Sequence, residues 1–320
     1  MERLDHFMAR ANAEYYAAHD PFADFTTAPE ISQVFGELLG LWAAVVWQSM
    51  GKPAPMLLVE CGPGRGTLMA DALRAIRRMM PDFAAALRVH LVENSPRLRA
   101  VQAAAVPGAQ FHDRIDSLPD GPMILLANEF LDALPIRQFV RRGDGWMERY
   151  VADGAFVEQR ANHTGAATDG DVVEVGDAAA SLVAQLARRI TAQGGAALLI
   201  DYGPEKSAPG DSLQALHGGT KADPLASPGL SDLTAHVDFE ALAGAAAGAA
   251  VHGPLAQGLF LTRLGLFQRT GVLARTLQPA HAAAMLDGAR RLAEPDQMGR
   301  LFKALCISHP ALPEPPGFTA

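Results

Sequence analysis

The chain has 320 residues, 49% of them hydrophobic and 19% charged, with a formal net charge of −8. That length holds one large domain or two small ones around a sizeable core, and the composition is that of an ordinary soluble globular protein. The negative balance excludes general electrostatic attraction to nucleic acid or to an anionic membrane, and two cysteines, Cys61 and Cys306, exclude a disulfide framework or a metal-ligand cluster. No stretch approaches the about 18 uninterrupted apolar residues of a membrane span. The start, Met1-Glu2-Arg3-Leu4-Asp5, lacks an apolar signal region and is too acidic for a transit peptide. The expected setting is therefore the cytoplasm, without membrane insertion.

In chain order, Thr27-Ala28-Pro29-Glu30 reads as a capping box that opens an apolar helix to about Met50. Residues 1–55 are expected to form an N-terminal helical cap, with Tyr15, Tyr16 and Phe25 as candidates for an apolar lid. Met56–Cys61 is an apolar run of strand length, followed by Gly62-Pro63-Gly64-Arg65-Gly66 and a helix from Thr67 to Met80, ended by Pro81. Val89–Val92, Ala109–His112 and Met123–Ala127 are the next strands, with a helix over Pro96–Ala105 between the first two. This alternation predicts an α/β fold with a parallel, doubly wound Rossmann-like sheet.

The pattern then turns antiparallel. Ile136–Arg142, Trp146–Val151 and Ala155–Gln159 are joined by glycine turns, and residues 161–176 read as exposed turns. Residues 136–176 are thus expected to be an inserted antiparallel ribbon, whose Arg137, Arg141, Arg142 and Arg149 make a solvated face. A helix over Ala178–Gln193 and a strand over Ala196–Ile200 resume the core. Lys206–Gly229 reads as a long functional loop, Phe239–Ala247 as a helix, Ala249–Gly253 as a strand, residues 257–300 as helical, and Lys303–Ser308 as a last strand.

In a doubly wound sheet, ligands lie beyond the carboxyl ends of the strands. Polar residues recur there in order: Glu60, Glu93, Asp113 and Asn128. The glycines alternate as G-x-G-x-G, with Thr67 where a dinucleotide fingerprint needs its third glycine, and no G-x-x-x-x-G-K-[ST] is present. An acid two residues before such a turn resembles the first motif of class I S-adenosylmethionine-dependent methyltransferases. On that resemblance Gly62, Gly64 and Gly66 would approach the amino acid part of the cofactor, and Glu60 would orient the turn or the ammonium. Glu93 would accept from the ribose hydroxyls and Asp113 from the adenine amino group, with Asn128 at the same mouth.

Longer motifs narrow this. Asp24-Phe25-Thr26-Thr27-Ala28-Pro29-Glu30-Ile31-Ser32-Gln33-Val34-Phe35-Gly36-Glu37-Leu38 resembles the MidA family. So do the glycine turn with Thr67-Leu68-Met69, Asn128-Glu129-Phe130-Leu131-Asp132-Ala133-Leu134-Pro135, and Asp232-Leu233-Thr234-Ala235-His236-Val237-Asp238-Phe239. The chain departs from the pattern at Cys61, where leucine is usual, and in a short Asp20–Asp24 segment. The resemblance implies S-adenosylmethionine as cofactor and a protein substrate, an arginine in the mitochondrial members, with a respiratory complex I subunit as partner. It implies the mitochondrial matrix for a eukaryotic source and the cytoplasm for a bacterial one.

Carboxylates that grip a guanidinium in a fork can orient one nitrogen and localise charge on the others. Glu129 and Asp132, read as one helical turn apart, are the candidates for that work, and His217 and His236 for a general base. No metal is expected. The alternatives are a non-catalytic assembly factor that holds the cofactor, a small-molecule methyltransferase and, more distantly, a nicotinamide dehydrogenase.

Overall fold

The computed structural model describes residues 1–19 and 26–319. The short segment Asp20–Asp24 and the lid candidate Phe25 lie outside the described residues. The chain opens with β1 (Glu2–Arg3), α1 (Leu4–Ala18), α2 (Ala28–Ile31) and α3 (Gln33–Ser49). Next come β2 (Met56–Cys61), α4 (Thr67–Met79), α5 (Pro81–Ala86), β3 (Leu87–Val92), α6 (Pro96–Ala105), β4 (Gln110–His112) and β5 (Met123–Asn128). Four strands follow, β6 (Arg137–Arg142), β7 (Gly145–Ala152), β8 (Ala155–Ala161) and β9 (Val172–Val175), then α7 (Asp177–Gln193) and β10 (Gly195–Tyr202). β11 (Gln214–His217), β12 (Thr220–Ala222), β13 (Asp232–Thr234), α8 (Phe239–Ala245) and β14 (Ala250–Ala256) precede a helical run. That run is α9 (Gln257–Arg263), α10 (Leu266–Ala274), α11 (Pro279–Ala293) and α12 (Met298–Leu301), and β15 (Phe302–Ser308) closes the described fold.

Two compact units divide the chain. The first gathers Met1–Phe25, Leu131–Val183 and Pro204–Ala245; the second gathers Thr26–Phe130, Ala184–Gly203 and Ala246–Ala320. The expected cap of residues 1–55 is thus shared out, its first helix to one unit and its later helices to the other.

The second unit is built on a seven-stranded sheet in the order β14-β15-β10-β5-β2-β3-β4. β2 pairs in parallel with β3 and β5, β10 with β5, and β4 with β3. β15 is antiparallel to both β10 and β14. Strand order reverses between β2 and β5, which opens a crevice at their carboxyl ends. Strands β2 and β5 are buried along their whole length, as the apolar runs Met56–Val59 and Met123–Ala127 require. The core around them includes Trp42, Leu58, Leu91, Ile124, Leu198 and Phe260. Trp47 and Phe83 stack in it with ring centroids 4.9 Å apart.

In the first unit β1, β6, β7, β8 and β9 form one antiparallel sheet, and β11, β12 and β13 form another. Leu4, Phe7, Met8, Ile136, Val151, Leu225 and Leu233 make its apolar core. Buried Asn12 is fully used there. Its Nδ2 donates to Ala133 O at 3.0 Å and Leu233 O at 2.8 Å, and its Oδ1 accepts from Leu233 N at 3.0 Å. The arginine face is paired, with Arg142 exposed and Arg137 and Arg149 partly buried. Arg137 meets Glu148 at 2.7 Å, Arg142 meets Glu158 at 2.6 Å, and Arg149 meets Asp211 at 2.7 Å.

Several expectations need correction. Thr27 makes no side-chain cap; the chain breaks at Ser32, whose Oγ accepts from Val34 N and caps α3. Pro81 opens α5 as well as ending α4, because a proline lacks only an amide that a first turn leaves unused. The supposed turns at 161–176 contain β9, and the supposed loop at 206–229 contains β11 and β12. Residues 129–134 form bends and turns, so Glu129 and Asp132 are not one helical turn apart.

Candidate functional site

The turn after β2 runs through three left-handed glycines, Gly62 at φ +64°, Gly64 at φ +56° and Gly66 at φ +80°. A Cβ on Gly62 would stand 2.7 Å from the Phe130 ring, so no larger residue fits there. Gly66 N donates to Pro63 O at 2.7 Å, which tightens the turn immediately before α4. Thr67, the first residue of α4, donates from Oγ1 to Glu30 Oε1 at 2.5 Å. The Thr27–Glu30 segment therefore lies on the glycine turn.

Glu60 is 3% exposed, and its Oε2 is buried with no hydrogen-bond partner among the described residues. Burial pushes its pKa up to about 8, only partly offset by a hydrogen bond from the Met69 amide. Its neighbour Cys61 is also buried, which drives the thiol pKa up and leaves a core side chain rather than a nucleophile.

At the end of β3, the Glu93 carboxylate accepts from Ser95 N at 2.8 Å and from Gln102 Nε2 at 3.0 Å. Arg99 donates to Glu93 O at 2.7 Å and to Asp113 Oδ1 at 2.6 Å, which ties the ends of β3 and β4 together. Asp113 itself is exposed.

At the end of β5, Glu129 adopts the left-handed φ of +51°. Such a conformation costs a non-glycine residue energy and collects at functional sites. Its Oε1 accepts from Ala28 N at 2.8 Å and from Asn128 Nδ2 at 2.9 Å. Its own amide donates to Ile200 O at 2.9 Å, and the next amide, Phe130 N, donates to Asp201 Oδ2 at 3.1 Å. Asn128 Oδ1 is buried and has no donor among the described residues.

The second unit thus brings together Glu60, Gly62, Gly64, Gly66, Glu93, Asp113, Asn128 and Glu129. Asp132, His217 and His236 belong to the first unit. There Asp132 is buried, and its carbonyl accepts from Ala235 N at 3.0 Å. The Tyr16 hydroxyl donates to Asp232 Oδ1 at 2.8 Å. Burial and the Asp232 and Asp132 carboxylates raise the Tyr16 pKa. His217 is exposed, and its Nδ1 lies 2.7 Å from Leu230 O, which only accepts, so the proton sits on Nδ1. His236 is also exposed, and its amide donates to Ser212 Oγ at 2.8 Å.

Sequence reasoning did not find Gln102 or the Ala28 amide. The first had a signal: it breaks the buried stripe Leu98, Gln102, Val106 of α6. The second is backbone and has no signature in residue type.

The chain's own groups suit an adenosyl sulfonium ligand. Left-handed glycines let backbone approach it, an oriented carboxylate at β3 can accept from hydroxyls, and the unpartnered Glu60 oxygen provides an acceptor beside the turn. A mouth carrying Glu30, Glu93 and Glu129 tolerates positive charge.

Comparison with known proteins agrees. A family model described as "Putative S-adenosyl-L-methionine-dependent methyltransferase" matches residues 38–255. The chain is 35% identical to protein arginine methyltransferase NDUFAF7, mitochondrial, of Danio rerio, over 93% of this chain and 80% of that one. It is 34% identical to the Drosophila melanogaster homolog of that protein, over 96% and 80%. A Burkholderia thailandensis protein solved with S-adenosyl-homocysteine bound superposes with a TM-score of 0.78 at 25% identity, covering 99% of this chain and 90% of that one. Among the described residues, no helix is long and apolar enough to cross a membrane.

Proposed function

Because this chain belongs to the MidA family of class I S-adenosylmethionine-dependent methyltransferases, we propose that it methylates an arginine side chain of a partner protein. The cofactor supplies, when bound, an electrophilic methyl group on a sulfonium. The rest falls to the protein. The glycine turn takes the amino acid end, Glu60 provides an acceptor beside it, Glu93 accepts from the ribose hydroxyls, Asp113 accepts from the adenine amino group, and Asn128 borders the mouth at the end of β5.

A guanidinium has a pKa above about 12, so it arrives charged and weakly nucleophilic. Glu129 is the residue to hold it. Its strained backbone at the end of β5 and the two donors on Oε1 fix its carboxylate before any substrate arrives, and that geometry is the observation that carries the reading. The partner we assign is a respiratory complex subunit, as the family resemblance of the motifs at 128–135 and 232–239 implies; the relatives' names give a mitochondrial arginine methyltransferase.

Incubation with methyl-labelled S-adenosylmethionine and a lysate lacking this protein should mark a discrete protein band that carries methylarginine. Glu129→Gln should lower that labelling by at least about a hundredfold while S-adenosylhomocysteine binding changes by less than about threefold. A Glu129→Gln protein that labels normally would remove Glu129 from the reaction. A wild-type protein that binds cofactor but labels nothing would favour a non-catalytic assembly role.

A further inference from the structure

Gln102 is fully enclosed, at 0% exposure, on a helix face whose other members are apolar. Spacing of four along α6 calls for leucine or valine at this position. Instead its Nε2 donates to Gly64 O at 2.8 Å and to Glu93 Oε2 at 3.0 Å. Both partners only accept, so the amide group cannot be turned the other way. That orientation leaves Gln102 Oε1 buried without a donor among the described residues, a loss that leucine would not incur. A glutamine kept for packing would not be held in this arrangement.

The two acceptors it joins have different duties. Gly64 lies in the middle of the glycine turn, and Glu93 is the acid at the end of β3. With Ser95 N on one carboxylate oxygen and Gln102 on the other, Glu93 has a donor on each side. Gly66 packs on the same helix, where a Cβ would come within 3.3 Å of Ala105 and 3.6 Å of Gln102. Turn and acid are therefore referenced to a single side chain of α6.

We infer that Gln102 is a positioning residue for the cofactor: it sets the Glu93 carboxylate against the ribose hydroxyls and fixes its spacing from the glycine turn. Selectivity for a ribosyl over a deoxyribosyl ligand then depends on Gln102 acting through Glu93. The inference rests on the reading of Glu93 as the ribose acceptor.

Calorimetry with S-adenosylhomocysteine and with its 2′,3′-dideoxy analogue tests both. Gln102→Leu should weaken S-adenosylhomocysteine binding by about tenfold and change binding of the analogue by less than about twofold. The thermal midpoint of the unliganded protein should not fall, because the variant removes an unsatisfied buried oxygen. Gln102→Met, unbranched and of similar volume, repeats the measurement if leucine packs badly. Unchanged binding of S-adenosylhomocysteine, equal losses for both ligands, or two variants that fail to fold would each overturn the inference. Glu93→Ala separates the underlying reading: if it prefers S-adenosylhomocysteine over the analogue as strongly as wild type does, Glu93 does not read the ribose.

Discussion

Glu60 is a carboxyl group that folding makes harder to ionise. Its pKa moves from 4.5 to about 8, with burial as the dominant cause. Between those values the folded state keeps a proton that the unfolded state has released, so folding stability declines as pH rises through that window. The contribution is fully present below 4.5 and gone above about 8. Thermal melts of the unliganded protein from about pH 5 to about pH 9 should therefore show a decline that Glu60→Gln flattens. Parallel curves for the two proteins would mean that Glu60 ionises normally. The same residue was legible in sequence, as were Glu93, Asp113 and the glycines, because each sits where an apolar run ends. Gln102 was not, because a polar residue on the buried face of an alanine-rich helix resembles a tolerated lapse until its two acceptors are seen. The role of Ala28 was not legible either, since it is played by an amide that every residue but proline has.

Among the elements, α3 and α4 approach so closely that side chains are excluded between them. A Cβ on Gly40 would meet the Ala72 backbone at 2.7 Å, and one on Gly36 would meet Asp71 Cβ at the same distance. Between these glycines, buried Glu37 accepts from Arg74 of α4 at 3.1 Å and from Arg269 of α10 at 2.7 Å. The glycine turn is attached to the first residue of α4, so a displaced α4 disturbs the turn. Gly40→Ala should cost about 1–3 kcal/mol of stability, read as a lower thermal midpoint, and should weaken S-adenosylhomocysteine binding in parallel. Loss of stability with unchanged binding would show that the turn is held independently of this crossing. Long apolar elements such as β2, β5 and β10 were readable from pattern alone. Two-residue β1, four-residue β9 and the β11–β12 pair were not, because such short strands take their conformation from their partners rather than from local preference.

At the scale of the molecule, charge is unevenly shared. The first unit carries 20 Asp and Glu against 9 Lys and Arg, and the second carries 15 against 18. A net charge of −8 read for the whole chain conceals that division. A partner segment rich in arginine would be drawn to the acidic unit over a distance that salt shortens. Raising salt from about 50 mM to about 300 mM should slow labelling of the protein substrate several-fold and leave S-adenosylhomocysteine affinity nearly constant. Salt-insensitive labelling would exclude electrostatic capture by this unit. The make-up of the first unit was the least readable feature, since its three segments are separated by over a hundred residues and then by twenty.

That interleaving bears on how the protein is made. Glu2 and Arg3 are paired with Val151 and Tyr150, and Asn12 with the chain near Leu233, so these residues leave the ribosome well before their partners are synthesised. At about 5–20 residues per second that delay is on the order of ten seconds or more, during which helix α1 exposes its apolar face. Nascent chains stalled before Leu233 should accordingly be bound by holding chaperones and cut readily within the first twenty or so residues, whereas released chains resist.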